Sequence, residues 1–174
     1  MDLFASPEPL IRRVYAYVAY RVGDGPAAED ITSETFERAL RYQDTFDGRR
    51  GDVAGWLIGI ARRCILDAPA SDASVTGEVP ELTAVTDLEA DAVRRLDLAA
   101  ALVQLDVRDR ELVALRYGAD LTARQIGELI GVRTNAVEVA LHRALGRLRE
   151  LLEGGTLPVE ATRSVELELR RRTA

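Results

Sequence analysis

The spacing of apolar residues limits this chain to helices, and one stretch without a helical repeat divides them into two groups. Apolar residues recur at i, i+3, i+4 and i+7 along residues 7–67 and again along 93–152, the pattern of a helix with one face in a core. Apolar–polar alternation of strand length is absent, so a sheet is not expected. Between the two groups, residues 68–92 read APASDASVTGEVPELTAVTDLEADA. Proline, glycine and short polar residues punctuate this stretch, and its charges are all acidic, so it is read as a linker that self-repels and extends. A short strand or turn around residues 75–79 is the alternative. The expected fold class is all-α, with two small helical domains joined by a flexible acidic linker. Their bounds are 1–67 and 93–152, the linker is 68–92, and a C-terminal tail fills 153–174.

Composition narrows the chemistry. One cysteine (Cys64) and one histidine (His142) among 174 residues leave neither an internal disulfide nor a metal cluster to build. No nucleophile–base set or phosphate loop can be assembled from them, so neither an enzyme nor a cofactor is expected. No apolar run is long enough to cross a bilayer, so no membrane insertion is expected. Met1-Asp2-Leu3-Phe4 lacks the basic start of a secretory leader. A cytoplasmic location is expected.

The net charge of −6 argues at first against nucleic acid. Divided along the chain, it reads differently: residues 1–67 carry −2, 68–92 carry −6, 93–152 carry +2 and 153–174 carry none. The acidic excess of the whole chain equals that of the linker. All 23 basic residues are arginine, which fits the codon bias of a GC-rich genome.

Local signals place the helices. Ser6-Pro7-Glu8 starts the first, which runs through Leu10, Ile11, Val14, Tyr17, Val18 and Arg21 to Gly23. Asp24 and Pro26 open the second, with Ala28, Ile31, Thr35, Phe36, Ala39 and Leu40 inward. Asp52 caps the third, with Val53, Trp56, Leu57, Ile60, Ala61, Cys64 and Ile65 inward, and Pro69 ends it. The second group reads as helices over 93–105, 108–117, about 123–130, and 134 to about 152. Thr122 and Gln125 form a capping box, Gly131 supplies a left-handed stop, and Thr134 is read as the last helix's cap. A short helix, a turn at Gly131 and a longer helix anchored by Val137 make residues 122–149 a helix-turn-helix candidate. Gly127 would let its two helices approach closely. An ordinary helical hairpin is the plainer reading of the same pattern.

Residues 105–152 resemble the C-terminal promoter-binding domain of an extracytoplasmic-function (ECF) sigma factor. The resemblance is carried by Arg108 to Glu111, Leu115-Arg116-Tyr117, Gln125 to Gly131 and Leu141 to Arg149. The first group resembles the same family through Ala28-Glu29-Asp30-Ile31-Thr32-Ser33-Glu34-Thr35-Phe36-Glu37-Arg38-Ala39, the loop Phe46 to Gly51, Gly55-Trp56-Leu57 and Ile60-Ala61-Arg62. The resemblance implies a transcription initiation factor whose partners are core RNA polymerase, promoter DNA and an anti-sigma protein. It implies polymerase contacts at Glu29, Asp30, Glu34, Thr35, Glu37 and Arg38, and −10 element contacts at Arg49, Arg50, Trp56, Arg62 and Arg63. It implies −35 element contacts at Arg124, Arg133, Thr134, Asn135, Glu138, His142, Arg143 and Arg147. Plainer readings stand beside these: a solvated acidic face for the second helix, a core position for Trp56, a solvated pair for Arg49 and Arg50.

Three departures from the family pattern matter. Where members usually carry Lys/Arg, Ser and Arg in the recognition helix, this chain has Glu138, Val139 and Ala140. Glu138 either accepts from a cytosine amino group or repels the phosphate backbone. Ala68-Pro69-Ala70 stops the third helix where the family continues into a basic patch. Gly154, Gly155 and Pro158 break the last helix; residues 159–172 beyond them form either an amphipathic helix or a disordered tail. These departures keep a second reading open, a sigma-like regulator that binds polymerase or an anti-sigma partner while reading promoters weakly or atypically.

Overall fold

The computed structural model describes residues 4, 6–49, 51–68 and 88–154, with backbone alone for 88–93. Most of the expected linker, with its alternative strand or turn at 75–79, and the tail segment 159–172 lie outside those residues. All regular structure among the described residues is helical.

Helix α1 (Pro7–Val22) starts with proline in its first turn and Glu8 behind it, where an absent N–H and a negative charge suit the exposed amides. Ser6 occupies the cap position without making a side-chain cap hydrogen bond. Helix α2 (Pro26–Arg41) is capped by Gly25, at φ +129°, instead of by Asp24. The Asp24 carboxylate instead accepts from the Tyr15 hydroxyl. Helix α3 (Val53–Asp67) is capped as expected, with Asp52 Oδ1 accepting from Gly55 N at 2.7 Å. The three helices close over Val14, Tyr17, Val18, Ala28, Ala39, Leu57, Ile58 and Ala61. Ile11 and Leu40, expected inward, stand 45% and 55% exposed.

Helix α4 (Leu88–Gln104) begins five residues before the expected start at 93, so the last residues read as linker are helical. Helix α5 (Val107–Val113) is capped by the Asp106 side chain. The backbone then widens into a π-turn over Ala114–Gly118, splitting the single helix expected over 108–117. Helix α6 (Ala123–Ile130) carries both hydrogen bonds of the Thr122–Gln125 capping box and ends on left-handed Gly131, φ +74°. Gly131 N–H and Val132 N–H both donate to Gly127 O, closing the end of the helix. The close approach read at Gly127 is present: a Cβ there would lie 2.6 Å from Val132 O. Helix α7 (Thr134–Gly154) follows. Thr134 is its first helical residue, and the carbonyl that opens the helix belongs to Arg133, accepting from Ala136 N and Val137 N. Leu102, Leu105, Leu112, Leu115, Leu121, Ile126, Val137, Ala144 and Leu148 fill this second set of helices.

The two sets also meet each other: α1 lies along the π-turn, and the buried residues of both form one continuous cluster.

Candidate nucleic-acid interface

Helices α6 and α7 build the helix-turn-helix. Val137, Ala144 and Leu148 fix the buried side of α7. At 100° per residue, Asn135, Glu138 and His142 fall within an arc of about 60° centred about 130° round from that side, and all three are exposed. Arg133 and Thr134 are exposed at the start of the helix, where the first amides lack intrahelical acceptors and suit a phosphate. Arg124 is exposed on α6 and pairs loosely with Glu128 at 3.8 Å. Five of the eight expected −35 residues therefore sit on one accessible surface at the start of α7, whereas Arg124 lines the cleft towards α3.

Arg143 and Arg147 do not share that stripe; they lie about 110° and 150° round the helix from its centre. Arg143 is exposed. Arg147 donates from Nε to Asp109 Oδ2, and the Asp109 side chain is only 6% exposed. That bond holds the Arg147 guanidinium above its ordinary pKa.

The five expected −10 residues are spread out. Arg50 lies outside the described residues. Arg49 is exposed in the loop before α3. Trp56 is half-buried, with its ring edge-on to Phe46 at 5.5 Å. The indole thus caps the α3 core and shows one side to a cleft shared with Leu121, Arg124, Gln125 and Leu129. Arg63 is exposed, whereas Arg62 donates to Glu111 Oε1 at 2.7 Å.

On α2, Asp30, Glu34 and Glu37 share an arc of about 60°, and all are exposed with Glu29 beside them. Arg38 is held by Glu34 at 2.7 Å and by Asp67 of α3 at 2.6 Å, which raises its pKa further. Thr35 is the exception. It is fully buried on the opposite side, and its hydroxyl donates to Ile31 O at 2.7 Å. It offers a partner no surface, because the threonine in this motif packs the helix against its neighbours.

Sequence reasoning missed Glu111, which gathers side chains from α1 and α3. Arg21 was a signal. It occupies an inward register of α1, where an arginine needs a buried acceptor.

The fold and site define an all-helical protein in which an acid-faced bundle accompanies a helix-turn-helix. The family description Sigma-70 region 2 matches residues 8–73, and Sigma-70, region 4 matches residues 95–148. The ECF RNA polymerase sigma factor ShbA of Streptomyces griseus is 34% identical over 168 residues, covering 87% of this chain and 86% of ShbA. The ECF RNA polymerase sigma factor BldN of Streptomyces coelicolor is 35% identical over 147 residues, covering 80% of this chain; the match spans 56% of BldN. The sigma factor RpoE of Bartonella quintana, solved in complex with the anti-sigma factor NepR, has the same fold, with a TM-score of 0.64. The match covers 84% of this chain and 93% of that one at 21% identity. The chain belongs to the ECF group of RNA polymerase sigma factors.

Proposed function

We propose that this protein binds core RNA polymerase and directs promoter-specific transcription initiation. The observation that carries this reading is the exposed stripe Asn135, Glu138 and His142 on α7, behind a capped helix-turn-helix, in a chain that also presents the acidic face of α2. In this reading Asn135 pairs with an adenine edge and Glu138 accepts from a cytosine amino group. Arg124, Arg133 and Arg143 supply phosphate contacts, which set register and carry the salt dependence. In the first three helices, Arg49, Arg63 and the open side of Trp56 serve the −10 element. Asp30, Glu34 and Glu37, flanked by Glu29, meet the polymerase.

The protein acts as a binding factor without catalysis of its own, in the cytoplasm where the polymerase works, and an anti-sigma protein is a fitting regulator. The domains of this reading are 1–67 for polymerase and the −10 element, 68–92 as linker and 93–152 for the −35 element.

Run-off transcription with core enzyme on a library of promoters tests it. Initiation from a defined promoter class is expected. Binding to core with no initiation on any sequence would instead favour the sigma-like regulator. One observation supports that second reading: Val139, 52% exposed beside Glu138, occupies a place where a polar or basic residue would meet DNA.

A further inference from the structure

The exposed stripe of α7 has two unlike flanks. On the side towards α6, Glu138 and His142 border a cleft that they share with Arg116 and Thr122. On the other side stands Val139, 52% exposed and about 160° round from the buried side of the helix. At 100° per residue, Asn135, Val139 and Arg143 form one row, a turn apart and each displaced by about 40° from the last. Asn135 and Arg143 are exposed. Ala136, also exposed, adjoins Val139 at the spacing that makes helix positions neighbours. The two residues after Val139, Ala140 and Leu141, pack against the core.

A single exposed valine is ordinary on a protein surface. This one stands between two polar side chains of the same row. Whatever surface Asn135 and Arg143 engage also covers Val139. An isopropyl group has neither donor nor acceptor. Pressed against a guanine, cytosine or adenine edge, it would leave that edge's polar atoms without water and without a partner. In the major groove one base presents an apolar group, the C5-methyl of thymine. The alanine methyl suits the same contact. A β-branched side chain in a helix keeps essentially one χ1 rotamer, so Val139 loses little further freedom when it is covered.

We propose that Val139, with Ala136 beside it, is a specificity-determining pair that reads the C5-methyl group of a thymine in the −35 element. The inference rests on the promoter reading above and deepens it. The departure from the family pattern at Val139 then changes which base is read instead of removing a contact. Cytosine has the same pyrimidine outline but lacks the methyl and presents an amino group, so the pair discriminates against it.

The test uses the full chain, alone and with core polymerase, as wild type and Val139→Ala. Selection from a duplex library first defines the bound sequence. Each thymine in it is then replaced by uracil, which removes the C5-methyl and keeps O4 and the pairing. Fluorescence anisotropy is expected to show one thymine whose replacement weakens wild-type binding about fourfold, the worth of one methyl group withdrawn from water. Val139→Ala is expected to weaken binding to the thymine duplex by a similar factor and to bring the uracil effect at that thymine below about twofold. Its melting temperature is not expected to fall, because alanine favours a helix more than valine does. Uracil also alters the shape of the duplex, and an effect arising there would persist in the variant. A uracil response equal in the two proteins therefore overturns the proposal. So does a selected sequence with no responsive thymine, or a selection that enriches no sequence. Run-off transcription on the selected sequence separates the two readings. A uracil response that depends on Val139, without initiation, sustains the methyl contact and overturns promoter-directed initiation. Initiation with an equal uracil response in both proteins does the reverse.

Discussion

Arg147 of α7 closes on the buried Asp109 carboxylate of α5, while Arg143, one turn earlier, stands exposed. The two arginines belong to one expected phosphate-binding set, yet only Arg147 has a buried partner. Arg147→Ala is expected to lower the melting temperature, because it leaves Asp109 buried without its cation. Arg143→Ala is expected to leave melting unchanged and to flatten the dependence of log K on log salt by about one unit. Thermal denaturation and anisotropy across a salt series check both.

Glu138 has the opposite sign from what a phosphate wants, and it lies on the exposed stripe of α7. Glu138→Arg is expected to tighten non-specific duplex binding and to steepen the salt slope by about one unit. No change in either would place that face of α7 away from the groove.

The Thr122–Gln125 capping box supports the start of α6. Thr122→Ala is expected to cost about 1 kcal/mol, a fall in melting temperature of about 2–4 °C for a chain of this size. Gly127→Ala is expected to cost more. Its Cβ would meet the Val132 carbonyl at 2.6 Å, and backbone atoms give way less readily than side chains. Calorimetry on the two variants orders them.

Alkaline pH is expected to loosen α1. Burial, with the hydrogen bond to Asp24, pushes the Tyr15 phenol up from 10.0 to about 12. Burial together with the Glu111 charge pushes Tyr17 up as well. The unfolded chain ionises these phenols near pH 10, while the folded chain resists. The stability they contribute is therefore complete below pH 10 and is lost as pH rises towards 12. Urea midpoints at pH 9 and pH 11, read with tyrosinate absorbance, are expected to fall together at the higher pH. A midpoint that holds at pH 11 would contradict the raised values.

Much of the site was legible because its signals are local. The Asp52 cap, the capping box, Gly131 and the register of Val137 each follow from residues within one or two turns. The accessible stripe on α7 and the acidic arc on α2 follow from 3.6 residues per turn. Thr35 was misplaced for the same reason that its neighbours were found: a motif names residues together and does not say which of them turn inward. Asp24 and Thr134 look like caps, yet the helices begin one residue away from where these side chains would serve.

By itself the sequence determined the helical class, the Asp52 cap, the Thr122–Gln125 capping box, the helix-turn-helix and the family, since all of these rest on contacts between near neighbours along the chain. The tertiary structure alone decided which arginines are free. Arg62 meets Glu111 across 49 residues, and Tyr17 meets the same carboxylate across 94. Arg147 meets Asp109 across 38. No periodicity encodes those distances. They arise when apolar faces pack and bring distant charges into the same poorly hydrated space, where each must find an opposite partner.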